Sequence, residues 1–179
     1  MKKMRKILSL LLVLAMVACL GVTAFADGET NNFTVTFYVQ QAIRDADDNV
    51  TFNGDLLDNP ITVPVESGKT LKDAILAACS AEDGLLADSV WNEKSPEFLT
   101  SLTVDGDVFA NEDHYQYDVP SAGKATYTGK SWMYFDGEPA DMPASSYTYP
   151  STSLGQRTVT SNMTITLSYE TLTFVWNYK

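Results

Sequence analysis

The chain has 179 residues, 45% of them hydrophobic, with 23 Asp+Glu against 12 Lys+Arg and a single His. That length supports one domain with a real core, and a formal charge of −11 excludes nucleic acid as a partner held by charge. One His excludes a His-rich metal site and leaves a Ser or Cys nucleophile short of a base.

Four cations, Lys2, Lys3, Arg5 and Lys6, precede an apolar run from Ile7 to Val17, and Ala24-Phe25-Ala26 supplies a small-residue cleavage site. Residues 1–26 therefore read as a secretory signal peptide, which predicts a secreted, extracellular protein. Its removal takes four cations and no acid, leaving eight Lys+Arg against 23 Asp+Glu. Met16-Val17-Ala18-Cys19 has the outline of a lipoprotein box, so membrane attachment is expected only if Cys19 is lipidated. The residues after it stay apolar, whereas a tether would be polar. Only Cys79 follows the leader, and one thiol closes no internal disulfide.

Residues 27–32 are polar and aperiodic and read as a flexible tail. From Phe33 to Gln40, apolar and polar side chains alternate, with Phe33, Val35, Phe37 and Val39 on one face; this predicts a strand. A long acidic loop is expected from about Ala42 to Pro60. Within it, Asp45, Asp47, Asn49 and Asn53 match alternate positions of a calcium loop, but Val50 and Leu56 stand where Gly and Glu are required. A solvated acidic loop is the reading kept. Ile61–Val65 predicts a short edge strand because of Pro64.

A helix follows. Thr70 and Asp73 have the spacing of a capping box, Leu71, Ala74, Ile75, Ala78 and Cys79 recur at helical intervals, and Gly84 is the expected stop. Cys79 falls on the apolar stripe and reads as a packed side chain, not a nucleophile. Residues 85–100 suggest a loop with a short helical turn. Leu102–Val104 and Val108–Phe109 flank Asp105-Gly106, a hairpin signal. Strands are then expected at 114–119, at Ser131–Phe135 before a second Asp-Gly, and over Met163–Trp176 as one or two segments. This order predicts an α+β protein: a β-grasp-like mixed sheet packed on one main helix, with extra β-hairpins, forming a single domain over 33–179.

No nucleophile elbow, zinc-protease, P-loop or dinucleotide motif is present. Spacing singles out no pair among the 23 acids as a glycosidase dyad. A non-enzyme is expected. The rings are the denser signal: six of nine Tyr fall between Tyr115 and Tyr149, with Phe109, Trp132 and Phe135 among them. In a strand, Trp132 and Tyr134 share one face, while Met133 and Phe135 share the other. Either face could be core, and either could offer rings to a ligand or a protein.

SWMYFDGEPADMPASSYTYPS (131–151) and SNMTITLSYE (161–170), with VTFYV and ITVPVESGKTLKDAILAA upstream, resemble the bacterial transcobalamin-like C-terminal domain family. The resemblance covers Phe33 to Glu170 and is strongest over 129–170. It implies a β-grasp-like fold shared with the small domain of cobalamin carriers, whose Trp-bearing hairpin lies against the corrinoid. It implies Trp132, and with it Tyr147, as ligand-binding residues. Tyr134 and Tyr149 join them because each shares a face with one of the two. The expectation is a secreted, non-enzymatic ligand-binding domain of Gram-positive type, requiring no cofactor and taking cobalamin or a similar small molecule. The alternative is an extracellular protein- or glycan-interaction module of the cell surface.

Overall fold

The computed structural model describes residues 32–47, 49–117, 123–139 and 150–177. The expected leader (1–26), most of the expected tail, and Tyr147 and Tyr149 lie outside the described residues. Nine strands and one helix follow in order: β1 Asn32–Arg44, β2 Val50–Asp55, β3 Ile61–Glu66, α1 Leu71–Cys79, β4 Leu86–Trp91, β5 Leu99–Val104, β6 Asp107–Ala110, β7 Glu112–Tyr117, β8 Lys124–Asp136 and β9 Met163–Asn177.

β1, β8 and β9 carry the architecture. β9 runs parallel to β1 from Val35↔Met163 to Arg44↔Leu172, so strands near the two ends of the described chain lie side by side. On its other side β9 pairs antiparallel with all of β8, and β7 extends the sheet beyond the N-terminal half of β8. β3 and β2 share the free side of β1: β3 pairs with its first half and β2 with its second. β4, β5 and β6 form a separate three-stranded antiparallel sheet.

The α+β expectation is therefore corrected: the described residues are mostly β, with one short helix and two sheets, one mixed and one antiparallel. The physical reason is reach. Nine helical residues span about 14 Å at 1.5 Å each, whereas β1, β8 and β9 have 13, 13 and 15 residues. The helix covers part of the sheet, and the small sheet covers more. Three segments read as loop or left unread, over β2, β4 and the start of β8, are strands.

The core lies between one face of the large sheet and these two covers. Val35, Phe37 and Val39 of β1 meet Ile165, Leu167 and Tyr169 of β9, with Ile61, Val63 and Val65 of β3 on the flank. Leu71, Ala74, Ile75 and Ala78 press down from α1, and Leu86, Leu99, Leu102 and Val104 from the small sheet. Each large side chain buried this way contributes roughly 1.5–3 kcal/mol. The two-residue Asp105-Gly106 turn joins β5 to β6 as its composition predicts, with φ +47° and +85°, the left-handed pair that a type I′ turn requires.

The helix start is closed twice. Thr70 Oγ1 accepts from the Asp73 N–H, and the Asp73 carboxylate accepts from the Thr70 N–H at 2.8 Å. The next two orphan donors, Leu71 N–H and Lys72 N–H, reach the carbonyls of Arg157 (2.9 Å) and Leu154 (3.2 Å). The helix ends at Cys79, short of Gly84, because the Ser80 hydroxyl donates to the Leu76 carbonyl at 2.9 Å and competes with the ladder. Thr70→Ala is expected to cost about 1 kcal/mol, read as a lower urea midpoint at unchanged slope. The Thr70 backbone N–H, above all, holds the Asp73 carboxyl below its ordinary value. That contribution is complete above the usual carboxylate pKa of about 4 and fades as pH falls further. The gap between wild type and Asp73→Ala should therefore narrow in acid.

Candidate functional site

The ring-bearing strand turns its expected ligand face inward. Trp132 is 6% exposed. Its indole Nε1 donates to the Phe109 carbonyl at 2.8 Å, and its backbone N–H to Asn111 Oδ1 at 3.0 Å. The ring stands 5.2 Å from Tyr169 and edge-on to Phe109 at 6.4 Å. Tyr134, also 6% exposed, donates its hydroxyl to the Thr152 carbonyl, and burial pushes its pKa up. Neither offers a ring to solvent. The cause is register: Trp132 and Tyr134 pair with Tyr169 and Leu167 on the core face. Phe135 on the reverse face is buried too.

The calcium-loop resemblance dissolves into a turn. Asp45 Oδ1 accepts from the N–H groups of Asp47 (3.0 Å) and Asn49 (2.9 Å), and the Asn49 amide donates to both carboxylate oxygens. The carboxylate is spent on closing the β1–β2 hairpin. Among the described residues no group of three His, Cys, Asp or Glu could hold a metal. Cys79 is half-buried on α1 and its thiol is pushed up in pKa, chiefly by burial. His114 belongs to β7, an outer strand of the large sheet.

Where the small sheet ends, a cleft of about 370 Å³ opens beside the buried rings. Phe109 and Tyr169, 5.4 Å apart and edge to face, form its wall, with Val108 and Ala110 of β6 beside them. Its rim is polar. Lys130 Nζ on β8 meets Glu112 Oε1 on β7 at 3.1 Å, and Gln41 and Thr171 complete the mouth from β1 and β9. The Tyr169 hydroxyl is committed to the Ala110 carbonyl, and burial, followed by the nearby Glu112 charge, raises its pKa. Beyond the mouth the same sheet face is open, with Ile43 and Val175 each 44% exposed. The lining offers an apolar ring wall edged by an ion pair.

Two other recesses are less organised. One of about 350 Å³ is built from a single polar loop around Arg157, itself 3.3 Å from Asp136. The other, of about 230 Å³, lies between the β2–β3 connection and the β5–β6 turn. Of these three recesses among the described residues, the cleft alone draws on five strands of both sheets. Sequence reasoning counted Phe109 among the rings but passed over Tyr169, Lys130 and Glu112. Alternation along β9 says that Tyr169 shares a face with Leu167 and Thr171; it does not say where the cover stops.

No protein-family model matches this chain, and comparison with curated proteins finds no match either.

Proposed function

We propose that the chain is an exported, non-enzymatic binding module that holds a side chain of an extracellular protein partner in the cleft beside Tyr169 and Phe109. The observation that carries this reading is the cleft itself, where an apolar ring wall and the Lys130–Glu112 pair converge on one opening. An aromatic or branched group fits the wall, and a flanking charge can exchange into the half-exposed ion pair at little cost. A glycan is favoured less, because stacking a sugar needs an open ring face and Tyr169 is 8% exposed. The corrinoid reading rested on Trp132, whose ring is already in contact with two others. A macrocycle of that size also exceeds the cleft several-fold.

Saturation-transfer NMR tests the proposal, using N-acetyl dipeptides that pair an aromatic or branched residue with a charged one, and cyanocobalamin alongside. Val108 is 69% exposed, so Val108→Asp changes the wall without opening the core. The expected result is transfer to the aromatic dipeptides, weakened roughly tenfold, about 1.4 kcal/mol, by Val108→Asp and by Lys130→Glu. Transfer unchanged in both variants, or seen only with cyanocobalamin, would overturn it.

A further inference from the structure

We propose that Gln40 and Ser168 are the reactants of an intramolecular ester cross-link between β1 and β9. The two residues are register partners on adjacent parallel strands, and both side chains are fully buried. Gln40 Nε2 donates a long hydrogen bond to Ser168 Oγ at 3.3 Å, which holds the hydroxyl against the carboxamide. Among the described residues Gln40 Oε1 has no hydrogen-bond partner. Buried polar atoms are nearly always paired, and a fully enclosed amide with an idle carbonyl calls for an explanation.

Ester formation supplies one. Ser168 Oγ bonds to Gln40 Cδ, the Cδ–Nε2 bond breaks, and the hydroxyl proton leaves on the nitrogen as ammonia. No oxidant or cofactor is required. The product has no N–H or O–H left to satisfy, and an ester carbonyl tolerates an apolar site better than an amide does. Ammonia is protonated and diluted outside, which draws the exchange forward, and enclosure keeps water from reversing it. Glu170 lies two residues along the same face of β9, about 7 Å by the ordinary rise of a strand. It too is fully buried, with Oε2 3.0 Å from Arg44 Nε. Arg44 and Glu170 thus close the same buried face beside the two reactants.

The link would join positions 128 residues apart and tie together the two strands at the centre of the large sheet. Closing so long a loop restricts the unfolded chain, as a disulfide does. With Cys79 the one cysteine after the expected leader, this chain has no disulfide to do so.

Denaturing mass spectrometry of the mature protein, held overnight after folding, tests the idea. The expected mass is lighter than the sequence by one ammonia. A tryptic digest should join the peptide ending at Arg44 to Thr158–Lys179. Cyclisation at Asn53-Gly54 also sheds ammonia, but it leaves those two peptides separate. Ser168→Ala should restore the full mass, and Ser168→Thr should keep the link. Separate, unmodified peptides from folded wild-type protein would overturn the proposal, and that measurement stands even if Ser168→Ala fails to fold.

Discussion

Glu170→Ala is expected to destabilise the protein by about 3–5 kcal/mol, one of the two largest effects of any single substitution considered. Glu170 and Arg44 are both fully buried and meet at 3.0 Å, and the Arg44 guanidinium also lies 5.9 Å from the centre of the Phe135 ring. Removing the carboxylate takes a buried partner from a cation that cannot shed its proton. The arithmetic is asymmetric. Taking both charges out of water costs nearly what their attraction returns, so Arg44→Met with Glu170→Leu should lie close to wild type. Urea unfolding of both singles and the double closes the cycle and isolates the coupling. A loss below about 1 kcal/mol in Glu170→Ala would mean that the pair behaves like one at the surface.

Trp132→Ala should lower stability by a similar amount, about 3–5 kcal/mol, through the cavity that a lost indole leaves. The ring is enclosed between Phe109 and Tyr169, and its Nε1–H anchors the β6 backbone to β8 through the Phe109 carbonyl. Truncation therefore also orphans a carbonyl and loosens the wall of the cleft. A ligand-contact ring on the surface would behave otherwise: its loss would stay within about 0.5 kcal/mol of wild type. Thermal and urea unfolding of Trp132→Ala separates the two cases, and Trp132→Phe should recover most of the packing without the hydrogen bond. Stability near wild type in Trp132→Ala would return the indole to the list of exposed contacts.

The same residue shows how far periodicity reaches. Alternation in SWMYF correctly sets Trp132 and Tyr134 apart from Met133 and Phe135. It carries no information on which face is covered, because the cover comes from β5 and β6, more than twenty positions upstream. β4 was hidden for a different reason. Asp88 adopts φ +44° and the β4–β5 register slips between Ala87 and Val90, so the apolar pattern breaks within the strand. The first half of β8, KATYTGK, has few apolar side chains and becomes a strand by pairing with β7 on one side and β9 on the other. Gly129 within it marks a close approach, since an added Cβ would come within 2.3 Å of the Glu112 carbonyl oxygen.

Local chemistry was enough to determine the first strand, the Thr70–Asp73 cap, the helical stripe and the Asp105-Gly106 turn. Each depends on residues within a few positions, where backbone sterics and short-range hydrogen bonds decide. Tertiary structure alone decided that β1 lies parallel to β9, that Arg44 and Glu170 are buried together, and that a cleft opens where the small sheet stops. Those features join residues up to 128 positions apart. Their energies come from desolvation and packing between distant segments, which no short window of sequence contains.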